Sequence, residues 1–161
     1  MSSEANKTLV RRFVEEVLAG GDFAALAELT DPDCVEHTAA PGHPPGEGTI
    51  ARHMVLWRAA FPDLTIAIED LVAEGDRVAA RWTLRGTHRG AFLGLPPTGR
   101  RVTVAGMELY RLAGGRIAER WAVVDTLGLL RRLGLPPPAA LGAGVSSLPR
   151  PAPLTTAARA G

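Results

Sequence analysis

The apolar side chains of this chain change their period once, at Pro62, and that change limits the folds open to it. Before Pro62 they recur every three or four positions; after it they alternate. Leu9, Val10, Phe13, Val14, Val17 and Leu18 recur with charges between them and run out at Gly20-Gly21, which predicts an amphipathic helix. Asp22 is placed to cap a short second helix carrying Phe23, Leu26 and Leu29, which Thr30-Asp31-Pro32-Asp33 should stop. Cys34 to His37 reads as a short strand and Ala39 to Gly48, rich in Pro and Gly, as a loop. Ile50, Met54, Trp57 and Phe61 then form one face of a third helix.

Past Pro62, Leu64, Ile66 and Ile68 alternate with smaller or polar residues, and so do Val78, Ala80, Trp82 and Leu84. Glu74-Gly75-Asp76 is the turn between these two strands. A loop from Thr87 to Gly99 follows, then strands at about Val102 to Leu112 and Ile117 to Asp125, joined at Ala113-Gly114-Gly115. Helices followed by an antiparallel meander predict an α+β domain in which a curved sheet wraps against the N-terminal helices.

The chain is 161 residues long, with 46% hydrophobic and 22% charged residues, which suits one globular domain with its own core. From Pro138 to Gly161 it is mainly Ala, Pro, Gly and Ser, so we expect a folded domain over 1–137 and a flexible tail over 138–161. Removing Arg150 and Arg159 of that tail from the 18 Lys and Arg leaves 16 bases against 17 acids. Without a basic excess, nucleic acid is not an expected partner. The polar N-terminus and the lack of a long apolar run argue against a signal peptide or a membrane span, and a lone cysteine, Cys34, fits a reducing cytoplasm.

Candidate chemistry concentrates in the last strand. There Ile117, Glu119, Trp121, Val123 and Asp125 share one parity, and their bulk predicts that this face lies against the helices. Asp125 would then sit at the edge of an apolar cavity, where lost hydration raises a carboxyl's pKa and makes it a usable general acid or base. The competing reading is that Asp125 caps the segment beginning Thr126-Leu127-Gly128. Glu119 is too far along the strand, roughly 20 Å, to form a carboxylate pair with it, and is expected to pair with a base on a neighbouring strand. On the preceding strand either Arg111 or Glu108 can face the cavity; Met107 and Leu109 side with Arg111, whereas Val102, Val104 and Tyr110 side with Glu108. Arg111 is the slightly favoured choice.

Of the four histidines, His37 is the strongest site candidate, because it shares parity with Val35 and precedes the loop into the third helix. His43 and His53 read as exposed, and His88 as a turn residue. Their scattered positions do not suit a metal site. The glycines of GAFLGLPPTGR lack the spacing of a phosphate-cradling loop, and no nucleophile elbow occurs. Trp57, Phe61, Trp82, Met107 and Trp121, with Val35, are candidates for lining a hydrophobic pocket, or else plain core.

The phrases AEGDRVAARW, GTHRG with PPTGR, and GRIAERWAVVD, in that order and spacing, resemble the SnoaL-like polyketide cyclases, often called ester cyclases, of the NTF2-like superfamily. The resemblance runs from about Asn6 to Gly134 and includes the segment VEHTA. It implies a cone-shaped α+β barrel with a deep pocket between a bent antiparallel sheet and three helices, paired as a homodimer through the outer sheet face. It also implies a cofactor-free intramolecular aldol closure of an aromatic polyketide methyl ester. The aspartate after the E-x-W motif, here Asp125, would be the acid/base; beyond the resemblance, our own reading of the residues adds His37 and Arg111 as candidate orienting groups. The cyclases of this family carry a histidine on the strand before that aspartate, where this chain has Arg111. The superfamily also holds hydratases, isomerases, hydrolases and non-catalytic binding modules, so a ligand-binding or dimerisation module is the alternative.

Overall fold

The computed structural model describes residues 2–38 and 48–134. Helix α1 (Ser3–Arg12) is capped by Ser2, whose hydroxyl accepts the Ala5 N–H, and passes directly into a π-helical stretch, Phe13–Ala19. Asp22 caps α2 (Phe23–Leu29) as expected, accepting from the N–H groups of Ala24 and Ala25. Helix α3 (Thr49–Ala60) ends before Pro62. The strands are β1 (Thr30–Glu36), β2 (Thr65–Glu74), β3 (Arg77–Thr87), β4 (Arg101–Ala113) and β5 (Arg116–Val124), and α4 (Thr126–Arg132) follows. The expected helix stop at Thr30-Asp31-Pro32-Asp33 is thus the first half of a strand. His43 and the tail 138–161 lie outside the described residues.

The five strands form one sheet in the order β1-β5-β4-β3-β2. Four of them make the expected antiparallel meander, with Gly75 and Gly114-Gly115 in the left-handed region at its tight turns. The sheet is nevertheless mixed, because β1 lies parallel to β5, with Glu36 beside Arg120. No helix among the described residues is long and apolar enough to cross a membrane.

The decisive irregularity is in β5. Arg111 pairs with Glu119 but Leu112 pairs with Ile117, so Ala118 is an extra residue facing no partner of its own, a β-bulge. Ile117 is buried against the helices, and beyond the bulge the parity is reversed: Arg120 points inward, and Trp121 and Val123 point outward. The expectation that Ile117, Glu119, Trp121 and Val123 share one face is corrected on this ground.

Apolar residues on the inner face form two clusters. One packs Val10, Phe13, Val14 and Val17 against Val78, Tyr110 and Ile117; the other packs Phe61 and Phe92 against Trp82, Leu84, Val104 and Leu129. Trp82 lies across β4 opposite Gly106, where an added Cβ would stand 2.2 Å from its Cζ2. Gly106→Ala is therefore expected to destabilise the fold by about 1–3 kcal/mol through overpacking. Denaturant unfolding checks this, and a much smaller loss in a Trp82→Phe background would locate the strain in the indole.

Candidate functional site

The inner row of β4 runs Val102, Val104, Gly106, Glu108, Tyr110, Leu112, all buried. It therefore crosses from one apolar cluster to the other with a carboxyl group in between. Beside that point opens a cavity of about 340 Å³ with apolar walls that include Leu56, Trp57, Leu64 and Trp82, while Glu108 and Arg120 line it as charged groups. Such a volume suits a small organic molecule. Thr38, His53 and Thr126 also line it. The expectation that His53 is simply a surface residue is corrected accordingly.

Arg120 is 5% exposed and Glu36 1%, so both charges have left water and need partners. Register supplies them: Glu36, Arg120 and Tyr110 lie side by side across β1, β5 and β4. Arg120 donates to the Glu36 carboxylate through Nη1, and to Glu108 through Nη2 at 2.5 Å and Nε at 3.3 Å. The Tyr110 hydroxyl donates to Glu108 Oε2, and the Thr38 N–H donates to Glu36 at 2.9 Å. Burial, reinforced by the Glu108 charge, holds the Tyr110 phenol well above its usual pKa, so it remains a donor. Burial alone would lower the Arg120 pKa, but Glu108, Tyr110 and Glu36 outweigh it and hold the guanidinium well above its usual value. The cluster holds two carboxyl groups against one guanidinium. Of the two, Glu108 is the one that also lines the cavity.

The other charged constellation is on the opposite side of the sheet. Glu119 accepts from His37 Nε2 at 2.7 Å and from Arg111 Nε at 2.5 Å. His37 stacks on Trp121 with ring centroids 4.3 Å apart, and the Arg77 guanidinium covers the same indole. The expected pairing of Glu119 with a neighbouring base is found. Arg111 and His37, however, are brought together away from the cavity, and it is Glu108 that faces inward. Val35, Met107 (58% exposed) and Val123 (73% exposed) also belong to this outer face. Of the expected pocket residues, Trp57 and Trp82 line the cavity. Phe61 lies behind them in the core, 5.6 Å from Trp57, while Val35, Met107 and Trp121 are corrected to the outer surface: Trp121 by the bulge, Met107 because it alternates with the inner row of β4, and Val35 because it is exposed on β1.

Asp125 does not point into the cavity. β5 ends at Val124, and Asp125 caps α4: its Oδ1 accepts the Gly128 N–H at 2.8 Å and its Oδ2 lies 3.4 Å from Arg132 Nη1. Its side chain is 47% exposed. The unsatisfied N–H groups of a helix start drew the carboxylate away from the hollow. Its neighbours Val124 and Thr126 line the cavity, so Asp125 is at the rim. Among the described residues, no group of three or more His, Cys, Asp or Glu side chains is arranged to hold a metal ion.

A family model described as SnoaL-like polyketide cyclase matches residues 8–133. Aklanonic acid methyl ester cyclase of Streptomyces sp. (strain C5) is 33% identical over 136 residues, covering 81% of this chain and 82% of that protein. Among solved structures, AclR, a candidate hydroxylase from Streptomyces galilaeus, superposes with a TM-score of 0.74 at 33% identity, covering 84% of this chain and 100% of that one. Wild-type IdmH, a candidate polyketide cyclase from Streptomyces antibioticus, gives 0.68 at 34% identity over 81% of this chain and 99% of that one.

Two outcomes follow for the charged clusters. Arg120→Met is expected to cost about 3–5 kcal/mol in denaturant unfolding, because it leaves two carboxyl groups buried without their cation. The hydrogen bonds from His37 and Arg111 hold the Glu119 pKa below the ordinary glutamate value. Its ionised form therefore adds stability above that ordinary value, and the contribution vanishes as pH falls through the lower folded value. Unfolding midpoints of Glu119→Gln should lie below wild type at neutral pH and converge with it on acidification below the ordinary glutamate value. A gap of constant size across that range would contradict the assignment.

Proposed function

Because the chain belongs to the SnoaL-like polyketide cyclase family, we propose that it closes a ring within a polyketide-type, carbonyl-bearing molecule held in the cavity beside Glu108, by acid/base catalysis. The observation that supports this is a buried carboxyl group, backed by a guanidinium, facing a mainly apolar hollow. Ring closure of the aldol type needs an acidic C–H to lose its proton and a carbonyl oxygen to gain one. The Glu108 carboxylate takes the proton from carbon, and the electron pair is delocalised onto the substrate's own carbonyl oxygen. The resulting enolate carbon then bonds to a second carbonyl carbon, whose oxygen becomes an alkoxide and takes the proton back from Glu108. No electrons are gained or lost, and the substrate's carbonyls act as the electron sink. Arg120 and the Tyr110 hydroxyl fix the plane of the Glu108 carboxylate, and the apolar walls hold the chain folded upon itself.

Asp125 provides a second reading, supported by its place between two cavity-lining residues. In that reading it leaves its cap and enters the mouth when a substrate binds. Glu108→Gln and Asp125→Asn separate the two, since each keeps shape and removes the exchangeable proton. With aklanonic acid methyl ester as the trial substrate, Glu108→Gln is expected to lower turnover by about 10²–10⁴-fold. Asp125→Asn should stay within a few-fold, Asn being an equally good cap. The reverse pattern would transfer the proton to Asp125, and loss in neither variant would sink the acid/base reading at both positions.

The exposed apolar outer face around Trp121, Met107 and Val123 supports pairing with a second copy. Light scattering should then give about twice the 17.0 kDa chain mass, falling toward one chain in a Met107→Lys/Val123→Asp variant.

A further inference from the structure

Trp82 carries a group that the proposed chemistry leaves unused. Its residue is buried and its indole lines the cavity, yet the Nε1–H has no hydrogen-bond partner among the described residues. Most buried indole N–H groups find an acceptor, so an orphaned one needs an explanation. The side chains packed beside the ring are apolar: the flanking inner positions of β3 are Ala80 and Leu84, and the adjoining walls are Leu64, Ile66 and Phe92. The ring is also held in place. Opposite it on β4 stands Gly106, and any side chain there would collide with Cζ2 or Cη2. The backbone has therefore been left bare where an indole lies, two residues before Glu108 on the same inner row.

We propose that the Trp82 indole N–H is a substrate-anchoring donor, which takes a carbonyl or hydroxyl oxygen of the molecule bound in the cavity and so orients it relative to Glu108. The inference rests on the cavity being a site for oxygenated carbon skeletons, as argued above, and adds to it a preference: a polycycle bearing oxygen at the Trp82 wall binds better than its hydrocarbon counterpart. Phenylalanine would fill much of the same space without the donor, so the two roles of the ring, packing and donation, can be separated. Trp82 is a positioning residue in this scheme and exchanges no proton with the substrate.

The test uses binding, which does not depend on whether Glu108 or Asp125 moves the proton. Fluorenone and fluorene are tricycles of nearly the same shape, one with a carbonyl and one with a methylene. Each is titrated into the full-length chain while the indole N–H resonances of Trp57, Trp82 and Trp121 are followed by proton–nitrogen correlation NMR, the Trp82 signal being identified by its loss in Trp82→Phe. Fluorenone is expected to move that signal downfield and fluorene to leave it nearly in place. Trp82→Phe should weaken fluorenone by about three- to tenfold, the worth of one neutral hydrogen bond, with fluorene within about twofold. Equal losses for both compounds, or a Trp82 signal that responds alike to both, would reduce the residue to packing and overturn the inference while leaving the cavity reading intact. If wild type binds neither compound, both the cavity reading and this inference fall. Should Trp82→Phe not fold, the wild-type titration still decides, because the three indole signals can be assigned through Trp57→Phe and Trp121→Phe.

Discussion

A guanidinium removed from water has to be met by carboxylates, and in this protein those carboxylates come from strands that are far apart in sequence. Arg120 on β5 is bonded on one side to Glu36 of β1 and on the other to Glu108 of β4. The three-strand row thereby fastens the parallel edge strand to the antiparallel meander, and its Arg120 and Glu108 form part of the cavity wall. Desolvating these groups is costly, and such a cluster is better understood as fixing one arrangement of the sheet than as adding net stability. The same cluster places an acidic group against the hollow, with Tyr110 held protonated behind it.

The Ala118 bulge is what makes that arrangement possible. Without an extra residue in β5, a strand that buries Ile117 would send Arg120 to the solvent side and bring Glu119 and Trp121 inside. With it, Ile117 still completes the core around Phe13 and Tyr110, and two segregated polar constellations result. Inside, Arg120 with its carboxylates borders an apolar cavity. Outside, His37, Arg111 and Glu119 form a hydrogen-bonded group beneath a stacked Trp121. Each is hydrogen-bonded within itself, and no ion pair joins the two among the described residues.

Much of the architecture was legible in the residues. The spacing of Leu9 to Leu18, the cap at Asp22, the end of α3 before Pro62 and the glycine turns at Gly75 and Gly114-Gly115 are governed by neighbours a few positions away, and the structure agrees with each. The alternation in β3 and β4 was equally clear, and the parity of Val102, Val104 and Tyr110 already carried the signal that Glu108 faces inward. The site was less legible. Counting by twos through β5 placed Asp125 and Trp121 inside, since a one-residue insertion leaves no mark that composition can distinguish from a regular strand.

By itself, then, the sequence determined the order and kind of the elements, the single period change and the family, because these depend on local spacing and on motifs read in series. The tertiary structure decided which carboxyl group meets the cavity. That choice depended on the bulge register of β5, the parallel docking of β1 that brought Glu36 to Arg120, and the open N–H groups of α4 that drew Asp125 to the rim. The first two are pairings between strands, settled only when the sheet assembles; the third is a local cap three residues along, which Asp125 makes because β5 has already ended at Val124.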